Sequence, residues 1–233
     1  MYEKNRFLKK NRVFSKYDVT DSVYVINENL SLNMFEVADT YELLDGLIEN
    51  ESQKRSVERF PYWAEVWPSS IGLAKWFNEN QKKIIQPDGW VRELGCGVGL
   101  VGISLAVMGW SVEATDYVAD ALVFSAENAK VNQIANKHRV AYLDWRNPVG
   151  EICNCMVGSD IIYEKRNHLL IIRLIESQLA SGGDLYLSDP KRVASRGFVD
   201  LLIKNGYRHS IDSINVKHGS LNNAIDIHHF VKP

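Results

Sequence analysis

The chain has 233 residues, of which 45% are hydrophobic and 24% charged, with a formal net charge of −2. That length supports one sizeable core, with or without an extension. The near-neutral balance gives no general pull toward nucleic-acid or membrane phosphates, and no apolar run reaches the roughly eighteen residues a spanning helix needs.

The start is polar and carries Lys4, Arg6, Lys9, Lys10 and Arg12, a cluster best read as a solvated tail. Its lack of acids between Lys4 and Lys16 resembles an organelle presequence, but there is no apolar core of a secretory signal. Three cysteines, an odd count, fit a reducing compartment, so a cytoplasmic protein is expected. Val23 and Val25, then Leu30, Leu32 and Met34, alternate on either side of Asn27-Glu28-Asn29 and predict a small β-hairpin. Leu43, Leu44, Leu47 and Ile48 have helical spacing, and Ser69 or Ser70 is placed to cap a helix through Ala74, Trp76 and Phe77.

From residue 90 strands and helices alternate. Strand 90–94 leads to helix 100–108 and strand 111–115, then to helix 119–134 and strand 139–143. Strand 153–159 precedes helix 166–179, stopped by Gly182-Gly183; strand 184–188 precedes helix 193–205, stopped by Gly206. Two final strands, 207–216 and 224–231, have no helix between them. Alternation implies a mostly parallel sheet with helices on both faces, and the closing pair implies one antiparallel strand. The expected class is therefore α/β, Rossmann-like, seven-stranded, with an N-terminal extension over residues 1–57. Ligands of such sheets bind at the carboxyl ends of the strands, where every motif below falls.

The first of these is Glu93-Leu94-Gly95-Cys96-Gly97-Val98-Gly99, with Gly102 in the helix that follows. Alternating glycines permit a sharp turn and close ligand approach, and the helix start offers free amides. Gly97-x-Gly99-x-x-Gly102 with Asp116 nineteen residues on is, taken literally, a dinucleotide fingerprint. Glu93 argues against NAD: a carboxylate at the strand end repels a pyrophosphate and attracts the ammonium of a methionine moiety. S-adenosylmethionine (SAM) presents a cation and carboxylate at one end and a ribose at the other, which suits Glu93, the glycine amides and Asp116 in that order.

Several other constellations fail. Cys153 and Cys155 share a strand face as core thiols rather than metal ligands. His228 and His229 point to opposite faces, so no metal is expected. There is no Gly-x-Ser-x-Gly elbow and no Gly-Lys-[Ser/Thr] phosphate loop.

The glycine turn and sheet pattern resemble the seven-β-strand SAM-dependent methyltransferases, and within them the protein lysine methyltransferase family (methyltransferase family 16). The resemblance is carried further by Pro61-Tyr-Trp-Ala-Glu-Val-Trp-Pro68, Thr115-Asp116, Asp144-Trp145 and Ser159-Asp160-Ile-Ile-Tyr163-Glu164, the last matching the family's Asp-x-x-Tyr motif. Asp189-Pro-Lys-Arg192 is similar to the Asp-Pro-x-Arg of the branch acting on electron-transfer-flavoprotein β-subunit. The matching domain covers residues 58–233.

By that resemblance, Glu93 with Gly95, Gly97 and Gly99 holds the methionine end, Asp116 takes the ribose hydroxyls, and Tyr117 packs near the adenine. Asp144 accepts from the adenine amino group, Trp145 stacks on it or simply packs the core, and Trp67 lies beside the cofactor. Asp160 and Tyr163 are the expected catalytic pair, orienting the acceptor nitrogen; methyl transfer needs no metal and relies mainly on positioning. The implied partner is a protein lysine side chain or a small amine, with arginine also open. Without prolines between Asp160 and Tyr163, the base-methylating pattern Asn/Asp-Pro-Pro-Tyr is absent and nucleic acid is disfavoured. A SAM- or partner-binding protein without catalysis is the alternative of a different class. The acceptor's identity and the oligomeric state are left open by the sequence.

Overall fold

The computed structural model describes residues 11–39, 61–219 and 221–233. Lys4 to Lys10, the helical spacing of Leu43 to Ile48, and the expected 57/58 boundary lie outside the described residues.

The hairpin forms as expected, with β1 (Val19–Asn27) antiparallel to β2 (Leu30–Val37). Helix α1 (Pro68–Asn80) starts differently from the expectation. Trp67 is its N-cap residue without a side-chain cap bond, and Pro68 opens the first turn, where its missing N–H costs nothing. Ser70 instead donates back to the Trp67 carbonyl at 2.7 Å, and Ser69 is buried.

The sheet then builds through β3 (Trp90–Leu94), α2 (Leu100–Val107), β4 (Ser111–Asp116), α3 (Ala119–Val131), β5 (His138–Tyr142) and β6 (Cys153–Ser159). It is completed by α4 (Lys165–Gln178), β7 (Leu179–Asp189), α5 (Ser195–Lys204), β8 (Arg208–His218) and β9 (Leu221–Val231). Strand order is β5-β4-β3-β6-β7-β9-β8, with β9 antiparallel to both neighbours. This is the expected α/β class. One boundary is corrected: Gly182-Gly183 does not stop the helix. The chain enters β7 directly at Leu179, and the glycines form a bulge opposite Cys153 to Cys155. Gly182 has φ +74°, and a Cβ on Gly183 would meet the Ala180 carbonyl at 2.8 Å, so the chain passes there only without side chains.

Two apolar layers sandwich the sheet. On one face Phe77 of α1, Val101 and Leu105 of α2 and Phe124 of α3 pack with Leu32 and Met34 of the hairpin. On the other, Ile171 and Ile175 of α4 and Phe198 and Leu202 of α5 cover Leu94, Leu185 and Phe230. The hairpin thus shares a core with the sheet. Order along the strands reverses beside β3, whose chain turns to β4 on one side while β6 lies on the other. That crevice is where open parallel sheets bind ligands.

Candidate active site

The glycine turn fills the crevice. Gly95, Gly97 and Gly99 all have positive φ, at 63°, 52° and 93°. A Cβ at Gly97 would lie 2.9 Å from the Trp63 carbonyl, and one at Gly99 would collide with the Ser125 hydroxyl. Gly102 lets α2 press on the sheet, since a Cβ there would strike the Glu93 carboxylate and come within 3.0 Å of Val112.

Above the turn lies a cavity of about 480 Å³. Its wall follows the strand order. Asp144 and Trp145 come after β5, Asp116 and Tyr117 end β4, Gly95 to Val98 follow β3, Asp160 and Tyr163 follow β6, and Arg192 follows β7. Tyr62 and Trp67 close it from the segment before α1. With neighbouring strands about 4.8 Å apart, Asp116 and Asp160 stand two strand positions, or roughly 10 Å, apart along the sheet edge.

Asp116 is buried and tied into the turn: its Oδ2 accepts from Gly97 N–H at 3.0 Å and its Oδ1 from Val118 N–H at 2.9 Å. Burial raises its carboxyl above the usual range. Asp144 is clamped by Arg146 at 2.7–3.0 Å, and that guanidinium holds its carboxyl below the ordinary value. Trp145 packs toward Gly95, its ring 3.4 Å from where a Cβ would stand, and also against the apolar layer under α4. Trp67 donates its indole N–H to the Tyr62 carbonyl at 2.8 Å, which fixes its ring at the rim.

Two expected residues sit behind the wall rather than on it. Glu93 does not project into the cavity. It is buried beneath the turn, where its Oε2 accepts from Gly102 N–H at 3.1 Å and burial pushes its carboxyl up to about 8. The helix-start amide captures the side chain before it can reach a ligand. Gly99 shapes the turn from below, against Ser125.

At the β6 end Asp160 adopts φ +51°, unusual for a residue with a side chain, and its N–H donates to the Ser188 carbonyl at 2.9 Å. Both its carboxylate oxygens accept from Arg192, at 2.8 and 2.7 Å. The same guanidinium lies 5.8 Å over the Tyr163 ring, which also packs on Tyr62 at 5.4 Å. Burial raises the Tyr163 hydroxyl, so it stays protonated. Glu164, which ends the Asp160 motif, lines the cavity and binds Arg166 and Asn167. The Arg192–Asp160 pair was not visible in the sequence, since its partners lie 32 residues apart. Only the Asp189-Pro-Lys-Arg192 motif marked the position.

Five carboxylates (Glu65, Asp116, Asp144, Asp160, Glu164) face two arginines on this wall. Both arginines are engaged, and Gly97 N–H, an amide a pyrophosphate would need, already donates to Asp116. The wall therefore suits a cationic ligand better than a dinucleotide. Among the described residues no group of three or more His, Cys, Asp and Glu is placed to hold a metal ion. His228 turns to His209 at 3.0 Å while His229 turns to Asp184 at 2.7 Å. No described helix is long and apolar enough to cross a membrane.

Comparison with known proteins gives the same picture. The chain is 30% identical over 147 residues to the protein-lysine N-methyltransferase rrg1 of Schizosaccharomyces pombe, a match covering 57% of this chain and 46% of that protein. It is 28% identical over 138 residues to EEF1A lysine methyltransferase 3 of Xenopus tropicalis, covering 55% and 58%. The matches thus span about half the length of these relatives. Magnesium protoporphyrin IX methyltransferase of Synechocystis PCC 6803, solved with bound SAM, shares the fold at a TM-score of 0.57 and 18% identity, over 84% of this chain and 92% of that one. The family described as lysine methyltransferase matches residues 47–204, more than half of the sequence, and the chain belongs to that family.

Proposed function

We infer that the chain is a SAM-dependent N-methyltransferase acting on a lysine side chain of a protein. The observation that carries this is the order of groups along the sheet edge. Asp144, Asp116 and the glycine turn run from β5 to β3, and Asp160 and Tyr163 follow at β6. A ligand with an adenine, a ribose and a charged tail fits the first stretch and leaves its tail end facing the second.

Asp116 is placed to accept ribose hydroxyls, with charge-assisted bonds stronger than neutral ones. Trp145, Tyr117 and Trp67 offer aromatic surface to the base and exclude water. Gly95 and Gly97 bring backbone to the tail without side chains in the way. Bound SAM supplies an electrophilic methyl on a sulfonium. The residues at β6 do the rest by positioning: Asp160 accepts from the acceptor N–H, and Tyr163 lines its approach. Lysine as acceptor follows from an acidic and aromatic wall and from family membership. The thiols at Cys96, Cys153 and Cys155 are free, which supports a cytoplasmic setting.

Calorimetric titration with SAM, S-adenosylhomocysteine and NAD, followed by transfer of radiolabelled methyl to host-lysate proteins, tests this reading. Binding of the first two with labelling of a lysine-containing band is expected. Binding of NAD alone rejects it, and SAM binding with no transfer to protein or small amines leaves a binding protein.

A further inference from the structure

The acceptor end of the cavity holds a pair that a simple cation trap would not contain. An unpaired carboxylate there would favour the ammonium form of a lysine, raising its pKa by about one to three units at 4–6 Å. An ammonium has no lone pair and cannot accept a methyl group. Asp160, however, spends two of its roughly four acceptor positions on Arg192. The charge at this point is thereby cancelled, while acceptor capacity for a neutral N–H remains.

The arrangement is held from both sides. Arg192 N–H donates to Asp189 Oδ1 at 2.7 Å, and Asp189 Oδ2 takes a short bond from Ser195. Lys191, just before Arg192, has φ +62°, and Asp160 itself has φ +51°. Two left-handed residues on two different loops thus bring the guanidinium and the carboxylate face to face. Arg192 also covers the Tyr163 ring, whose face would otherwise attract a cation.

We propose that Arg192 is a positioning residue that neutralises Asp160, so that the acceptor amine is bound in its uncharged, nucleophilic form. This rests on the methyltransferase reading above. The amine gives up its proton to solvent on binding, its lone pair forms the new C–N bond, and the electron pair of the broken C–S bond stays on sulfur. Other titratable groups facing this point are Tyr62, Tyr117, Tyr163, Glu164 and Asp189. Burial keeps the Tyr163 hydroxyl protonated, and the acid limb of the rate is assigned to the bound amine.

The test compares wild type, Arg192→Gln and Arg192→Lys across pH. Acceptors are the lysate protein labelled by wild type and, for binding, N-acetyl-lysine methylamide added to protein saturated with S-adenosylhomocysteine. In Arg192→Gln the acid limb of kcat should move up by about one pH unit. That gives a roughly tenfold loss at pH values well below the wild-type limb, recovered about two pH units above it. Arg192→Lys, which keeps the charge, should retain the wild-type limb at a lower rate, and SAM affinity should stay within about twofold in both. Calorimetry in phosphate and Tris should show wild type releasing about one proton per lysine analogue bound near neutral pH, and Arg192→Gln clearly less. A uniform loss at every pH, or an analogue bound by wild type without proton release, overturns the proposal. Failure of wild type to bind SAM would instead remove the underlying reading. The Asp160 side chain is 9% exposed against 40% for Arg192, so Arg192→Gln leaves a largely enclosed carboxylate unpaired; should that variant fail to fold, the proton release measured on wild type still decides the proposal.

Discussion

Asn128 on α3 grips the backbone of Phe35 with both ends of its amide. Its Oδ1 accepts from Phe35 N–H at 2.6 Å and its Nδ2 donates to the Phe35 carbonyl at 3.0 Å. The same Nδ2 donates to the Val98 carbonyl in the glycine turn at 2.9 Å. One buried side chain therefore joins the N-terminal hairpin to the wall of the cavity. Four residues on, Asn132 repeats the grip on Asn33 at 3.0 and 2.7 Å. Glu36, the residue after Phe35 in β2, accepts from Val66 N–H at 3.1 Å, in the tryptophan segment.

Asn128→Ala should destabilise the protein by about 2–4 kcal/mol, because three buried backbone groups lose a partner at once. SAM affinity should fall with it, since Val98 belongs to the turn. Urea unfolding and calorimetry measure the two effects. A loss below about 1 kcal/mol would show that apolar packing alone docks the hairpin.

Gly97→Ala should weaken SAM binding at least tenfold while costing about 1–3 kcal/mol of stability. The residue needs φ +52°, and its new methyl would press on the Trp63 carbonyl at 2.9 Å. Either the turn or the tryptophan segment must give way, and both line the cavity. Retained affinity would mean that the turn relaxes away from the cavity.

What the sequence revealed and what it hid divide along physical lines. Periodicity and glycine spacing located all seven strands of the large sheet, with only the start of β7 clearly misplaced (Leu179 rather than residue 184), because each depends on local backbone and on buried faces. That Asp116, Asp144, Asp160 and Tyr163 share one cavity was legible because they follow strand ends, where position in the pattern fixes position in space. Glu93 was misdirected: its place at the strand end was legible, but capture by Gly102 N–H depends on how closely α2 lies on β3. Gly182-Gly183 misled for a similar reason, since a bulge and a helix stop use the same residues. Arg192 and Glu36 act on partners far along the chain, and no local pattern encodes such pairs.

Asp160→Ala should abolish methyl transfer while leaving SAM affinity within a few-fold. The carboxylate lies two strand positions from Asp116 and bonds Arg192, with no hydrogen bond to the glycine turn among those described. Asp116→Asn should do the reverse first, lowering SAM affinity because the carboxylate that accepts Gly97 N–H is also the one proposed to take the ribose hydroxyls. Equal losses of affinity and transfer in both variants would merge the two roles that the strand order separates.

Glu93 gives a pH-dependent prediction. Burial raises its carboxyl from an ordinary 4.5 to about 8. A group that keeps its proton to higher pH when folded contributes stability fully below the unfolded value and loses it as pH rises through the folded one. Wild type should therefore lose stability between about pH 4.5 and pH 8, on the order of a few kcal/mol. Glu93→Gln keeps a carbonyl oxygen for Gly102 N–H but has no proton to lose, so that part of the slope should vanish. Asp116 and Asp189 are also raised by burial, but they are common to both proteins and largely cancel in the difference. Urea unfolding of the pair at several pH values across this window should thus show a gap that widens in favour of Glu93→Gln as pH rises. Parallel curves would mean that Glu93 is ionised at neutral pH, as a carboxylate serving a bound ammonium must be, and would return it to the ligand-facing role its place in the sequence first suggested.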